Sequence, residues 1–384
     1  MDLLVGASAF ERIMLDRSAE NYTPINASIE LLPLCNMNCD MCYVRLSREE
    51  MERQGRLRTA QEWLAIGRQM KKAGVLFLLL TGGEPLLYPE FKAVYLGLRE
   101  MGMFLTINTN GTLIDEEWAA FFGEYKPRRV NITLYGADEN AYRTLCHYPG
   151  GFERVMRAVK LLRQNGVEVK LAGSATKQNA AELERLIEIG RELGVPMHID
   201  SYMMPATRER TLPFAQQSRL SPEEAARAKL IALRGLKGDA GFDRAVREIL
   251  RDAARRRPGE YRTGTSCLAG RCSFTVNWQG MMRPCVVMTA PQMDVFAQGF
   301  DAAWRCICEE TGKIRTSEEC HRCPMRTLCD TCAAAALLEE GDYSAKPRYL
   351  CRQTKEYLRL LMEEVKRMQA QRDEAEQSMD EKKG

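Results

Sequence analysis

Histidine is nearly missing from this chain, with 3 residues in 384 against 14 cysteines. Metal chemistry would therefore rest on thiolates rather than on mixed imidazole sites. An excess of either charge is missing too. Lys plus Arg number 55 and Asp plus Glu 52, a net +3, so no broad field draws in nucleic acid or a membrane surface. No apolar run approaches the length of a membrane span. Met1-Asp-Leu-Leu-Val-Gly6 lacks the basic region, apolar core and small-residue cleavage site of a secretory signal. The expected setting is the cytoplasm, reducing and poor in oxygen, where so many cysteines point to bound metal. What is present is 45% hydrophobic residues, enough for a large core and more than one domain at this length.

Three of the cysteines form Cys35-Asn-Met-Asn-Cys39-Asp-Met-Cys42, a C-x3-C-x2-C array after the apolar-rich run Ala27–Leu34. Three thiolates on one short loop can hold three irons of a 4Fe–4S cluster and leave the fourth without a protein ligand. A zinc knuckle short of one ligand is the plainer alternative. Further on, Leu76–Thr81 runs into Gly82-Gly83-Glu84-Pro85. Two glycines let backbone approach a ligand closely, with a carboxylate beside it, although a tight turn needs no more than this.

Together these motifs resemble the radical S-adenosylmethionine superfamily, with Met41 at a position usually aromatic there and Tyr43 after the last cysteine. The resemblance implies S-adenosylmethionine as cofactor, bound at the open iron through its amino and carboxylate groups. It implies contacts from Met41, Tyr43, Gly82, Gly83, Glu84, Pro85, Asn110 and Thr133, the Gly82–Pro85 turn accepting the amino group. Where related enzymes read Ser-Leu-Asp-Gly, this chain has Thr133-Leu-Tyr-Gly136, which keeps the hydroxyl and replaces the acid by Tyr135. Turn capping is the alternative for Asn110 and Thr133.

Short apolar runs alternate with amphipathic stretches from 27 to 205. Strands are expected at Ile29–Leu34, Leu76–Leu80, Phe104–Asn108, Val130–Leu134, Val167–Ser174 and Pro196–Ser201. Helices are expected at Thr59–Ala73, Glu90–Met101, Glu116–Phe122, Phe152–Asn165 and Asn179–Leu193, four of them ended by Gly74, Gly102, Gly166 and Gly194. Repeated units of this length imply parallel strands with right-handed crossovers. The expected fold class is α/β: a partial (β/α)6 TIM-like barrel followed by a small cysteine-rich iron–sulfur domain. Residues 1–26 are read as an N-terminal extension, 27–205 as the barrel, 206–262 as a helical bridge, 263–352 as the cysteine-rich domain and 353–384 as a charged C-terminal helix or tail. Within the bridge, Ser221-Pro-Glu-Glu224 is a helix start with a capping-box glutamate. Arg244 through Arg257 is a basic helical run, a solvated face or a surface for an acidic peptide. From Glu363 on, a fraying helix or disorder is expected.

Ten cysteines lie between 267 and 351. Setting aside Cys306 and Cys308 leaves Cys267, Cys272, Cys285, Cys320, Cys323, Cys329, Cys332 and Cys351, enough for two four-ligand sites. C-x2-C pairs also suit zinc ribbons. The array resembles the SPASM domain of peptide-modifying radical enzymes, one residue shorter between Cys329 and Cys332. That resemblance implies Cys267, Cys272, Cys285 and Cys332 around one auxiliary 4Fe–4S cluster and Cys320, Cys323, Cys329 and Cys351 around a second, three clusters in all. Cys146, Cys306 and Cys308 are left as ordinary thiols.

SPASM relatives imply a 5′-deoxyadenosyl radical that takes a hydrogen from the substrate, followed by net oxidation to a thioether, carbon crosslink or aldehyde. Sulfatase maturases of this kind place an aspartate after the third auxiliary cysteine; here Val286 follows Cys285. That directs the reading toward a maturase of ribosomally made peptides, with formylglycine generation as alternative and a non-catalytic iron–sulfur electron carrier or scaffold as the alternative of another class. The partners implied are a peptide or protein substrate and an electron donor such as flavodoxin or ferredoxin. Only about thirty residues precede Cys35, too few for a folded leader-gripping domain, so the alternatives are a separate leader-binding protein, a leader that docks elsewhere, or a substrate without a leader. Asp200, ending Met197-His-Ile-Asp200, is the candidate proton acceptor at the barrel mouth, with an acid that merely caps a strand end as the alternative, and His198 reads as a core residue rather than a ligand.

Overall fold

The computed structural model describes residues 9–205, 208–210, 218–255, 264–265 and 267–381. Six parallel strands carry its first half: β1 (Asn26–Glu30), β2 (Phe77–Thr81), β3 (Phe104–Thr109), β4 (Arg129–Thr133), β5 (Val169–Ser174) and β6 (Met197–Asp200). They pair in chain order, as successive right-handed strand–helix units dictate. Helices Ala60–Ala73, Phe91–Glu100, Glu116–Glu124, Gly151–Gln164 and Leu183–Glu192 cover the sheet. Each buries an i, i+3, i+4 stripe, such as Trp63, Ile66 and Met70 or Val155, Val159 and Leu162. Helix starts follow local chemistry: the Thr59 hydroxyl accepts from Glu62 N at 3.2 Å, while the Glu62 carboxylate accepts from Thr59 N at 2.8 Å.

The first strand sits earlier than the sequence suggests, at Asn26–Glu30 rather than Ile29–Leu34. Beyond it, the carbonyls of Leu32 and Leu34 leave the strand ladder and accept from Gly83 N at 2.7 Å and Glu84 N at 2.9 Å. The apolar run is continuous in sequence but serves two structures in turn.

The sheet does not stop at the barrel. β7 (Ser273–Val276) pairs in parallel with β1, Asn26 opposite Ser273. β8 (Met281–Arg283) and β9 (Met293–Asp294) follow antiparallel, giving the order β6-β5-β4-β3-β2-β1-β7-β8-β9. β1 is therefore internal, and Ala27 and Ile29 are fully buried. Helix Phe300–Gly312 packs over this junction, its Trp304 indole donating to the Tyr22 carbonyl at 2.9 Å.

The bridge begins as expected: Ser221 N donates to the Glu224 carboxylate at 2.8 Å and Glu224 N to the Ser221 hydroxyl at 3.2 Å. The helix Pro222–Arg255 breaks at Gly238 (φ 65°, ψ 164°) and packs along Arg348–Glu381 through Phe242, Val246, Tyr357, Leu361 and Met368. Of the alternatives for the tail, the helix is the one observed, through Glu381. Arg244, Arg247 and Arg251 line a shallow groove with Arg372; Arg256, Arg257 and the Pro258-Gly259 stop lie outside the described residues, as does the Met1–Gly6 stretch. No helix among the described residues is long and apolar enough to cross a membrane.

Candidate functional site

The first cysteine loop leaves the carboxyl end of β1, where ligand sites form in such barrels. Its amides point at its own sulfurs: Met37 N approaches Cys35 Sγ at 3.4 Å and Arg45 N approaches Cys42 Sγ at 3.3 Å. Burial, with Glu84 adding to it, pushes the Cys35 thiol up to about 12, and burial also raises Cys42. Cys39 is raised first by a hydrogen bond with Cys146 and then by burial. Buried soft sulfurs with backbone N–H donors around them suit thiolates neutralised by iron, and three of them fit one cluster with an open iron.

Glu84 stands beside this loop, fully buried. Its Oε1 accepts from the Thr109 hydroxyl at 2.8 Å and Leu86 N at 3.1 Å, and its Oε2 from Asn110 N at 2.8 Å. Burial outweighs those donors and raises its carboxyl to about 7. A cation placed at this carboxylate would restore the ionised form. The two glycines before it have a cause the sequence reading did not contain. A Cβ on Gly82 would lie 2.5 Å from the Leu32 carbonyl oxygen, and one on Gly83 2.2 Å from that of Leu34. Their smallness lets the turn pass against the entry to the cysteine loop, and Pro85 then opens a short 3-10 turn.

Asn110 does more than cap. Its side-chain amide donates to Asn36 Oδ1 at 2.9 Å and reaches Cys35 Sγ at 3.6 Å, while its Oδ1 accepts from Thr112 N at 3.0 Å. Thr133 ends β4 opposite Ala172 of β5. Met41 packs against the main core. Asp200 ends β6 at the same face, about half exposed, its Oδ1 3.0 Å from His198 Nε2. Burial is the largest influence and raises its carboxyl, but the hydrogen bond and charge of His198, together with other positive groups such as Lys170, leave it below the ordinary value. His198 is accordingly a partner of Asp200 rather than a plain core residue.

Three further residues neighbour the loop: Tyr135, expected only as the replacement for an acid, Cys146, expected as an ordinary thiol, and Arg210, which the sequence did not single out. Tyr135 faces all three thiols and hydrogen-bonds Cys39. Cys146, fully buried, lies beside Cys39, and its carbonyl accepts from Asn38 N at 3.0 Å. Arg210 donates to the Asn38 side chain at 3.2 Å and the Cys39 carbonyl at 3.0 Å. Tyr135 had a signal, since it follows a strand end; Arg210 had none, being remote in sequence.

The later cysteines gather in two groups. Cys332 lies within electrostatic reach of Cys267 and Cys285, and Cys320 within reach of Cys329 and Cys351. Cys323 closes the short helix that carries Cys320. Cys272 stands apart: it senses Cys267, but its thiol bonds the Leu15 carbonyl at 3.6 Å, packed with Leu15, Ala19 and Ile25. A cavity of about 410 Å³ opens between the groups, lined by Cys320, Cys332 and Tyr343. Among the described residues no three His, Cys, Asp or Glu side chains converge as ligands of a single ion; a four-iron cluster asks for no such convergence, each thiolate binding its own iron. Cys306 and Cys308 lie on helix Phe300–Gly312, Cys308 against the core.

The sequence profile of the Radical SAM superfamily matches residues 29–190. An AdoMet-dependent heme synthase of Methanosarcina barkeri (strain Fusaro / DSM 804) is 24% identical over 342 residues, 83% of this chain and 94% of its own. The antilisterial bacteriocin subtilosin biosynthesis protein AlbA of Bacillus subtilis (strain 168) is 23% identical over 82% of this chain and 68% of its own. Among solved structures, Streptococcus suis SuiB bound to its precursor peptide SuiA superposes with a TM-score of 0.64 at 16% identity, covering 90% of this chain and 81% of that one.

Proposed function

From a chain that carries a radical SAM domain at residues 29–190, and is thereby a radical SAM enzyme, we propose a maturase that oxidises a side chain of a ribosomally made peptide, forming a thioether or carbon crosslink. The observation that carries this reading is the second cysteine array, whose Cys285 lies within electrostatic reach of Tyr43 of the first loop, with Val286 where a formylglycine-generating relative would need an acid. Auxiliary clusters on Cys267, Cys285 and Cys332, with Cys272 as the fourth ligand once its thiol leaves the Leu15 carbonyl, and on Cys320, Cys323, Cys329 and Cys351, would suit passage of an electron away from substrate. When bound at the first loop, the cluster and S-adenosylmethionine supply the radical that abstracts hydrogen. Cys35, Cys39 and Cys42 would hold that cluster, and Glu84 the cofactor's ammonium. Met41, Tyr43, Gly82, Gly83, Pro85, Asn110 and Thr133 would shape the pocket around it. Asp200 is the candidate proton acceptor; its carboxylate is ionised at neutral pH, as that role requires. AlbA, and SuiB with its precursor peptide, support a peptide substrate.

The heme synthase similarity spans nearly its whole length and favours a second reading, with an iron porphyrin as substrate. One experiment separates them. Anaerobically reconstituted protein is incubated with S-adenosylmethionine, a reduced ferredoxin or flavodoxin, and either a candidate precursor peptide or an iron porphyrin. The expected product is a peptide two mass units lighter, stoichiometric with 5′-deoxyadenosine, and Asp200→Asn lowers its yield while leaving cofactor cleavage intact. Porphyrin turnover with no change in peptide would overturn the assignment, as would formylglycine from a sulfatase-motif peptide. Absence of any cofactor cleavage would point to the carrier.

A further inference from the structure

Between the first cysteine loop and Cys285 lies Arg208, its side chain 2% exposed. One guanidinium edge grips the carboxylate of Glu30, the last residue of β1, at 2.7 and 2.8 Å. The same nitrogens donate to the Val286 carbonyl at 2.5 Å and to Glu209 Oε1 at 2.7 Å. The guanidinium carbon stands 5.1 Å from the centre of the Tyr43 ring. Tyr43 in turn lies within electrostatic reach of both Cys42 and Cys285. A single side chain thus touches the residue before the first loop, the residue leaving it, and the residue after Cys285. The backbone repeats the connection: Arg210 N donates to the Tyr43 carbonyl at 3.1 Å. On the auxiliary side, Arg283 of β8 faces Glu209 at 3.7 Å.

The energetics do not favour this network as a source of stability. A buried ion pair is often no more stabilising than apolar residues of the same volume. Moreover Arg208 Nε, Glu209 Oε2 and Arg283 Nη1 are buried with no hydrogen-bond partner, and each such atom costs free energy. What a planar fork does supply is direction, because its two edges fix their acceptors relative to one another. We propose that Arg208 is a positioning residue that sets the register between the first cysteine loop and the Cys285 loop, and so fixes the short path between them along Tyr43. The consequence for electron passage rests on the reading that both loops hold clusters; the mechanical claim does not.

The test uses the full chain, reconstituted anaerobically. Removing Arg208 alone would leave Glu30 as a buried unpaired charge and could prevent folding. The working variant is therefore Arg208→Gln combined with Glu30→Gln, two neutral groups that can still bond each other, alongside Arg208→Lys. Hydrogen exchange is followed in peptides covering 35–45 and 283–288, and the microwave-power saturation of the dithionite-reduced first cluster reports its magnetic coupling to a neighbour. The expectation is an unchanged iron content, about tenfold faster exchange in both peptides together, and a several-fold drop in half-saturation power, with Arg208→Lys between the two. Native exchange in both peptides would overturn the proposal, and so would loosening confined to one loop, which would make Arg208 a local support. Should the native protein take up no iron, the cluster reading fails, and the exchange comparison still decides the role of Arg208.

Discussion

Glu84 is a carboxyl whose burial makes the site sensitive to charge. It is fully buried, receives three short hydrogen bonds, and still has its carboxyl raised from 4.5 to about 7 because desolvation outweighs them. A carboxyl raised in the folded state contributes stability that is complete below pH about 4.5 and is lost as pH climbs through about 7. The amount is on the order of 3 kcal/mol at full loss. Without cofactor, the melting temperature should fall between pH 5 and pH 8, and Glu84→Gln should flatten that slope; a slope unaltered by the substitution would place the titration elsewhere. Binding of an ammonium reverses the sign, since it needs the ionised form. Affinity for S-adenosylmethionine should therefore rise as pH passes 7, and Glu84→Gln should weaken it by roughly 1–2 kcal/mol with all clusters retained. Calorimetric titration at pH 6 and pH 8 checks both the direction and the loss.

At the level of elements, the legible parts were those governed by local rules. The six barrel strands and five flanking helices fall within a few residues of their sequence patterns, because parallel strands buried on both faces are continuous apolar runs and their helices carry a single buried stripe. The shift of β1 was not legible. Whether Leu32 and Leu34 extend a strand or receive Gly83 and Glu84 depends on a turn about fifty residues away. The same remoteness hid Tyr43 with Arg208, and the two-group sorting of Cys329 and Cys332, from inspection of spacing alone. The Gly83 contact yields its own prediction. Gly83→Ala places a Cβ 2.2 Å from a backbone oxygen, so the turn or the loop entry has to move, at a cost above about 2 kcal/mol. Gly102→Ala meets nothing within 4 Å and is strained only by its φ of 85°, costing about 1 kcal/mol. Denaturant midpoints of the two variants should differ accordingly, and equal midpoints would mean that the Gly83 turn is slack.

For the molecule as a whole, the three cysteine sets predict three 4Fe–4S clusters, or about twelve irons per chain. Replacing Cys35, Cys39 and Cys42 together by Ala should remove one third of the iron and sulfide and leave the remainder. Zinc recovered in place of iron after anaerobic purification would overturn the cluster count. Omitting iron should loosen the region around Cys267–Cys351, whose ligands join distant stretches of chain, more than the barrel, whose core Ile29, Leu80, Ile107, Ile132 and Leu171 is closed without metal. Exchange protection measured with and without iron distinguishes the two regions. The pairing of β7 with β1 has a bearing on protein engineering. A transplanted C-terminal half would have to bring a strand that meets Asn26–Ile29 in the same register, or else leave β1 an unpaired edge. The two halves are thus not interchangeable cassettes, and a chimaera joined in the loop before β7 should succeed only where donor and host share the backbone frame of that strand.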